Sequence, residues 1–225
     1  MSSISISIPA YNDEKTILNV ITESKDVVSK LVKDYEIVVI NDGSQDSTGK
    51  ILNDIKDNNV KVYHHSKNEG FGKTIKEIFT LPSKEWVFFI PGDGQISPQE
   101  LKKFYPSCCN YDFTLGWREN RQDLYIRRLG SFVYNLIISL ISSNRIHDVN
   151  SVAFFHREIM NHITIKSGSA FVHAEIYLKL SKNNYRIKEI KIAHNPRISG
   201  RSGALRLKII VYAIKDLLLY ILGRL

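Results

Sequence analysis

Arginine is missing from the first 110 residues of this 225-residue chain, and all 11 arginines lie in the remainder. Residues 1–110 carry 13 lysines against 15 acidic side chains, a net −2, whereas residues 111–225 carry 18 basic against 8 acidic, a net +10. Arginine suits two-pronged capture of phosphate, so the second half reads as the half that faces anions. Nucleic acid is not the expected anion: the basic residues form no continuous run and match no nucleic-acid module.

Cysteine is nearly missing as well. Cys108 and Cys109 are adjacent, which excludes a disulfide framework, and nothing around them suggests a zinc cluster. The start, Met1-Ser2-Ser3-Ile4, has neither a basic stretch nor a long apolar core, so the expectation is no signal peptide and a cytoplasmic setting. Repeats, low-complexity tracts and obvious linkers are lacking. The last apolar stretch, Arg206 to Leu222, is interrupted by Lys208, Lys215 and Asp216. That makes it a poor spanning segment. An amphipathic helix on a membrane surface or on a membrane-bound partner suits it better, with packing against the core as the alternative.

What is present is the composition of one large globular domain, 43% hydrophobic and 24% charged. Ile4-Ser5-Ile6-Ser7-Ile8 alternates as a strand that Pro9 is expected to stop. Glu14 to Lys33 has apolar residues at helical spacing. Strands are expected at Glu36–Ile40, Val60–His64 and Trp86–Ile90, with helices at Ser47–Asp57 and Lys73–Leu81 between them. Such alternation gives an α/β fold, a mostly parallel sheet with helices on both faces, whose ligands bind beyond the carboxyl ends of the strands. Pro9-Ala10-Tyr11-Asn12, Asn41-Asp42-Gly43-Ser44 and Asp93-Gly94-Gln95 all fall at such ends. After residue 110 the pattern loosens. Strands at Asp112–Leu115, Val149–Phe155 and Tyr185–Ala193 and helices at Leu124–Ile141 and Phe171–Ser181 are expected.

Asp93 between two glycines, after the apolar run Val87–Ile90, is a good place to hold a divalent cation against a diphosphate. Asn68-Glu69-Gly70-Phe71-Gly72-Lys73 puts two glycines ahead of a helix, where backbone N–H groups can lie near phosphates.

With these segments in order, the chain resembles the inverting family 2 glycosyltransferases, and among them the dolichol-phosphate mannosyltransferase group. The matching residues are Pro9 to Glu14, Asn41 to Thr48, Asn68 to Lys73, Asp93 to Gln95, Arg118, Arg127 with Ser131, Glu175, and Arg197 to Ser202. The resemblance implies a Rossmann-like GT-A domain over residues 1–203. Its residues 1–110 would bind the nucleotide sugar and residues 111–203 the acceptor, with an amphipathic helix over 204–225.

It further implies a GDP- or UDP-sugar donor, a polyprenyl phosphate acceptor, a magnesium or manganese ion, and a peripheral place on the cytoplasmic face of a membrane. Pro9, Tyr11, Asn12, Glu14, Asp42, Gly70, Gly72, Lys73 and Asp93 would line the donor site. Asp93 and Gln95 would hold the metal. Arg118, Arg127, Ser131, Arg197, Arg201 and Ser202 would bind the acceptor phosphate. Asp93, Arg118, Arg127 and Glu175 would serve catalysis, with Glu175 as a base, an orienter of an arginine, or a structural residue. Two departures from the family pattern stand out: Pro91 replaces a carboxylate two residues before Asp93, and Gly203 stands where a lysine is common. Transfer to a sugar hydroxyl, or a non-catalytic nucleotide-sugar-binding subunit, are the rival readings.

Overall fold

Seven strands, β1 (Ile4–Ala10), β2 (Tyr35–Asn41), β3 (Val60–His64), β4 (Trp86–Phe89), β5 (Phe113–Arg118), β6 (Ala153–His156) and β7 (Ile187–Ile192), form one sheet in the order β3-β2-β1-β4-β6-β5-β7. They are seen in a computed structural model that describes residues 2–119, 125–196 and 207–225. Strands β1 to β4 pair in parallel, with Ile8 opposite Val39 and Ser7 opposite Phe89. β6 runs antiparallel to both β4 and β5, and β7 returns parallel to β5. The sheet is therefore mixed.

Its helices are α1 (Ile17–Leu31), α2 (Thr48–Asn53), α3 (Phe71–Thr80), α4 (Leu101–Phe104), α5 (Tyr125–Ser142), α6 (Val172–Lys182) and α7 (Leu207–Ile221). They cover both faces. On one face, Ile4, Ile6 and Ile8 pack with Val20, Val27, Val28 and Phe104. On the other, Phe89, Phe113 and Phe155 pack with Ile75, Ile138, Phe171 and Leu217. Strand β1 lies inside the sheet, between β2 and β4, so even its serines are buried. Ser5 donates to Glu36 at 2.7 Å and Ser7 to the Ile78 carbonyl at 3.0 Å, which offsets the cost of taking hydroxyls out of water.

Pro9 does not end β1. It pairs opposite Ile40, and its carbonyl accepts from Gly92 N at 3.1 Å, a role that needs no N–H. The strand expected from Val149 begins only at Ala153, and the strand expected to end at Leu115 runs on to Arg118. The stretch 98–109, with Pro98 and Pro106, forms short helical turns with no regular period to announce them. Helix α7 docks one side on the core through Leu217, with its Asp216 accepting from Ser167 at 2.7 Å and Tyr220 against Phe171. Among the described residues, no helix is long and apolar enough to cross a membrane.

Candidate active site

The parallel strands β2, β1 and β4 release their chains side by side at one rim. Because β6 is antiparallel, its entry loop (residues 147–152) reaches the same rim, as do the exits of β5 at Arg118 and β7 at Ile192. The pairing therefore gathers residues from across the chain.

The exit loops of β1 and β2 are laced together. Asn12, in a left-handed conformation (φ 56°), takes Gln45 N on its side-chain oxygen at 2.8 Å and gives its own N–H to Ser44 at 3.0 Å. Glu14 accepts from Ser47 N at 3.0 Å, and Asp46 accepts from the backbones of Glu14 and Thr48. Asn12 and Glu14 thus brace these loops. Tyr11 stands exposed at their edge.

Asp42 is 5% exposed. Its carboxylate accepts from Glu69 N (2.8 Å) and Gly70 N (3.2 Å) and sits 2.8 Å from His65 Nδ1. A carboxylate offers about four lone-pair positions; the donors on Asp42 take three. Gly70 (φ 94°) starts α3, and Lys73 reaches back to Glu69 at 3.6 Å. A side chain at Gly72 would stand 2.0 Å from the Gly168 carbonyl oxygen, so glycine is required where α3 meets the 167–171 loop.

The chain leaving β4 continues along β1 through the Gly92–Pro9 hydrogen bond, and Thr16 donates to the Gly92 carbonyl at 2.8 Å. Asp93 then forms a tight turn, accepting from Gln95 N at 3.0 Å with Gly94 at φ 72°. The turn is tied to the exit of β7: Asn195 N donates to the Gln95 carbonyl at 2.8 Å, and His194 Nε2 lies 3.3 Å from Gln95 Nε2. His194 was not foreseen, because only the fold brings residue 194 to residue 95. Among the described residues, no three His, Cys, Asp or Glu side chains form a metal cluster.

Arg118 is held by Asp148. Its Nε and Nη2 donate to the two carboxylate oxygens at 2.7 and 2.8 Å, and Nη2 also reaches the Asn150 carbonyl at 3.2 Å. Loop 147–149 is tethered to α5 by Asn135, which donates to the His147 carbonyl and accepts from Val149 N. Glu189 of β7 accepts from the backbones of His147 and Asp148. Arg127 and Ser131 lie at successive turns on the side of α5 that Asn135 continues. His173, packed among Phe71, Phe79 and Phe89 near the Arg118–Asp148 pair, has both ring nitrogens buried without a hydrogen-bond partner; burial first, then the Arg118 charge, pushes its pKa down to about 4.

Glu175 lies in the first turn of α6. It is 0% exposed. Its oxygens accept from Lys166 N (2.9 Å) and Ser167 N (2.8 Å), and Lys179 pairs with one of them. The enclosed carboxylate anchors the 166–167 loop. Arg197, Arg201 and Ser202 fall outside the described residues.

A glycosyl transferase family 2 profile matches residues 5–164. The chain belongs to that family. It is similar to undecaprenyl-phosphate 4-deoxy-4-formamido-L-arabinose transferase of Proteus mirabilis, 26% identical over 216 residues, covering 93% of this chain and 65% of that one. The family 2 chain thus spans about two-thirds of that relative's length. An uncharacterized protein of Methanocaldococcus jannaschii is 30% identical over 198 residues, covering 81% and 83% of the two chains. Among solved structures, glucosyl-3-phosphoglycerate synthase from Mycobacterium tuberculosis with Mn2+, UDP and phosphoglyceric acid superposes with a TM-score of 0.73 at 17% identity, covering 99% of this chain and 78% of that one. That likeness shows the GT-A-like fold of this family 2 chain.

Proposed function

We propose that this glycosyltransferase moves one sugar from a nucleoside diphosphate sugar to a polyprenyl phosphate, with inversion at the anomeric carbon. The observation that carries the acceptor choice is the enclosure of Glu175. A sugar hydroxyl needs a base to take its proton; a phosphate is already an anion. With Glu175 bonded internally, the rim offers phosphate-binding cations rather than a free general base at that position.

The two sides of α5 support the same reading. Arg127 and Ser131 line its inner side, while Leu129, Phe132, Leu136 and Leu140 are exposed on its outer side. Ile210, Val211, Ile214, Leu218 and Ile221 of α7 are exposed too. A phosphate site beside an apolar surface suits an acceptor with a charged head and a lipid tail, and supports a working position on a membrane face. The arabinose-derivative transferases similar to this chain carry undecaprenyl phosphate in their names.

In this reading Pro9, Tyr11, Asn12, Glu14 and Asp42 shape the nucleoside pocket. The fourth acceptor position of Asp42 takes an N–H of the base or a ribose hydroxyl. Gly70, Gly72 and Lys73 flank the diphosphate. The Asp93 carboxylate and the Gln95 amide form one oxygen-bearing turn, which fits magnesium or manganese that completes its shell with diphosphate oxygens and water; His194 stands beside them. Such a cation, when bound, offsets charge on the departing diphosphate. An acceptor phosphate oxygen bonds to C1 as the C1–O bond to the diphosphate breaks. Arg127 and Ser131, with Arg197, Arg201 and Ser202, orient that phosphate, and Arg118 fixes the 148–150 loop beside it. Much of the rate gain is positional.

A thermal-shift panel of UDP, GDP and their sugars, each with manganese or magnesium, tests the donor half. One nucleotide should stabilise the protein, and only with the metal. The acceptor half is tested by transfer to a polyprenyl phosphate in detergent. Transfer to a free sugar in its place would refute the lipid-phosphate reading.

A further inference from the structure

His65 follows β3 at the donor rim, and both of its ring nitrogens face carboxylates. Nδ1 is 2.8 Å from Asp42 Oδ1, and Nε2 is 2.6 Å from Glu77 Oε2 on α3. The imidazole is mostly enclosed, its side chain 10% exposed. Ionised carboxylates only accept hydrogen bonds, and a neutral imidazole carries a single N–H. A neutral ring would therefore set a nitrogen lone pair against a carboxylate oxygen at less than 3 Å. The arrangement is that of an imidazolium donating from both sides.

The clamp reaches further. The same Asp42 oxygen that faces His65 accepts from Glu69 N, and the other accepts from Gly70 N. One charged ring thus ties the end of β2 to α3 and fixes the backbone that starts α3. Asp42 and Glu77 are the charged groups that bear on it. Glu69 and Lys73 pair with each other, and the neighbouring His64 bonds to Asn41.

We propose that His65 is a positioning residue for the donor: as an imidazolium it holds Asp42 and the 69–70 backbone in the arrangement that receives the nucleoside diphosphate, and donor binding weakens when the ring loses its proton. This rests on the donor reading given above. Burial alone would lower the pKa of His65; the bonds to Asp42 and Glu77 outweigh burial and raise it above the ordinary 6.5. The clamp is accordingly complete below pH 6.5 and is lost as pH rises through that raised value.

The test is calorimetric titration of UDP and of GDP, with manganese, into the full chain between about pH 6 and 9. For the nucleotide that binds, Kd should rise about tenfold along an alkaline limb. His65→Gln should bind about tenfold more weakly at neutral pH and show no limb. Glu77→Gln removes one carboxylate from the ring and should move the limb to lower pH, a shift that a merely structural role would not produce; it also carries the test if His65→Gln does not fold. A pH-independent Kd in the parent, the same limb in His65→Gln, or an unmoved limb in Glu77→Gln overturns the proposal alone. Failure of both nucleotides to bind the parent at any pH overturns the donor reading and the proposal with it.

Discussion

Replacing Glu175 by glutamine separates an anchor from a base. The side chain is wholly buried, and its two oxygens receive the backbone N–H groups of Lys166 and Ser167 while Lys179 pairs with one of them. Glutamine keeps one acceptor oxygen and turns an NH2 toward the other donor. One charge-assisted bond is lost, worth about 1.5–3 kcal/mol, and one buried donor goes unsatisfied. A net loss of about 3 kcal/mol corresponds to a fall of roughly 6–12 °C in Tm for a chain of this size. Glu175→Ala, which orphans both N–H groups and leaves Lys179 unpaired, should cost about 3–5 kcal/mol. Melting curves and turnover per folded molecule, measured well below Tm, decide the matter. The expectation is a large drop in Tm and turnover within about threefold of the parent. An unchanged Tm with turnover lower by about a hundredfold or more would refute the reasoning and return Glu175 to the chemistry.

Four further outcomes follow from the geometry. Burial alone would raise the pKa of Glu36, but bonds from Lys61, Ser5 and Ser83 outweigh it and lower the group from 4.5 to about 2. Its contribution of about 3 kcal/mol is present above pH 4.5 and lost as pH falls toward 2, so urea midpoints should converge for parent and Glu36→Gln across that window; parallel curves would contradict this. Gly72→Ala drives a methyl into the Gly168 backbone and should destabilise by about 1–3 kcal/mol. Gly130→Ala, in the middle of α5 with nothing within 4 Å of the added carbon, should stabilise by up to about 1 kcal/mol in the same denaturation assay. Phe132→Glu with Leu218→Glu should reduce co-flotation with anionic phospholipid vesicles without lowering Tm, because both side chains are exposed.

The first half of the fold was legible because β1, β2 and β4 are buried runs, β3 is a short edge strand, helical periods separate them, and the turns after them carry glycine and carboxylates. Pro9 misled because a proline lacks only a donor, and here the carbonyl is what the sheet needs. Past residue 110 the signal weakens: β6 has only four residues, apolar on both sides, and its antiparallel placement leaves no mark in its spacing. At the site, Asp42, Asp93 and the glycines of the 68–73 loop announce themselves by local pattern. Their partners do not. Asp148 meets Arg118 across 30 residues, His194 meets Gln95 across 99, and His65 meets Asp42 across 23. Glu175 shows the converse: the family position was readable, but only the fold reveals that backbone donors enclose it.

The central claim is that the Asp93–Gln95 turn, at the shared exit of β1 and β4, grips the donor diphosphate through a divalent cation. Titration of the preferred nucleoside diphosphate into the parent and Asp93→Asn, each with and without manganese, tests it most directly. The expected result is manganese-dependent binding in the parent, and binding at least about tenfold weaker and indifferent to manganese in a variant that melts at the parent temperature. Equal, manganese-dependent affinity in the two proteins would contradict it.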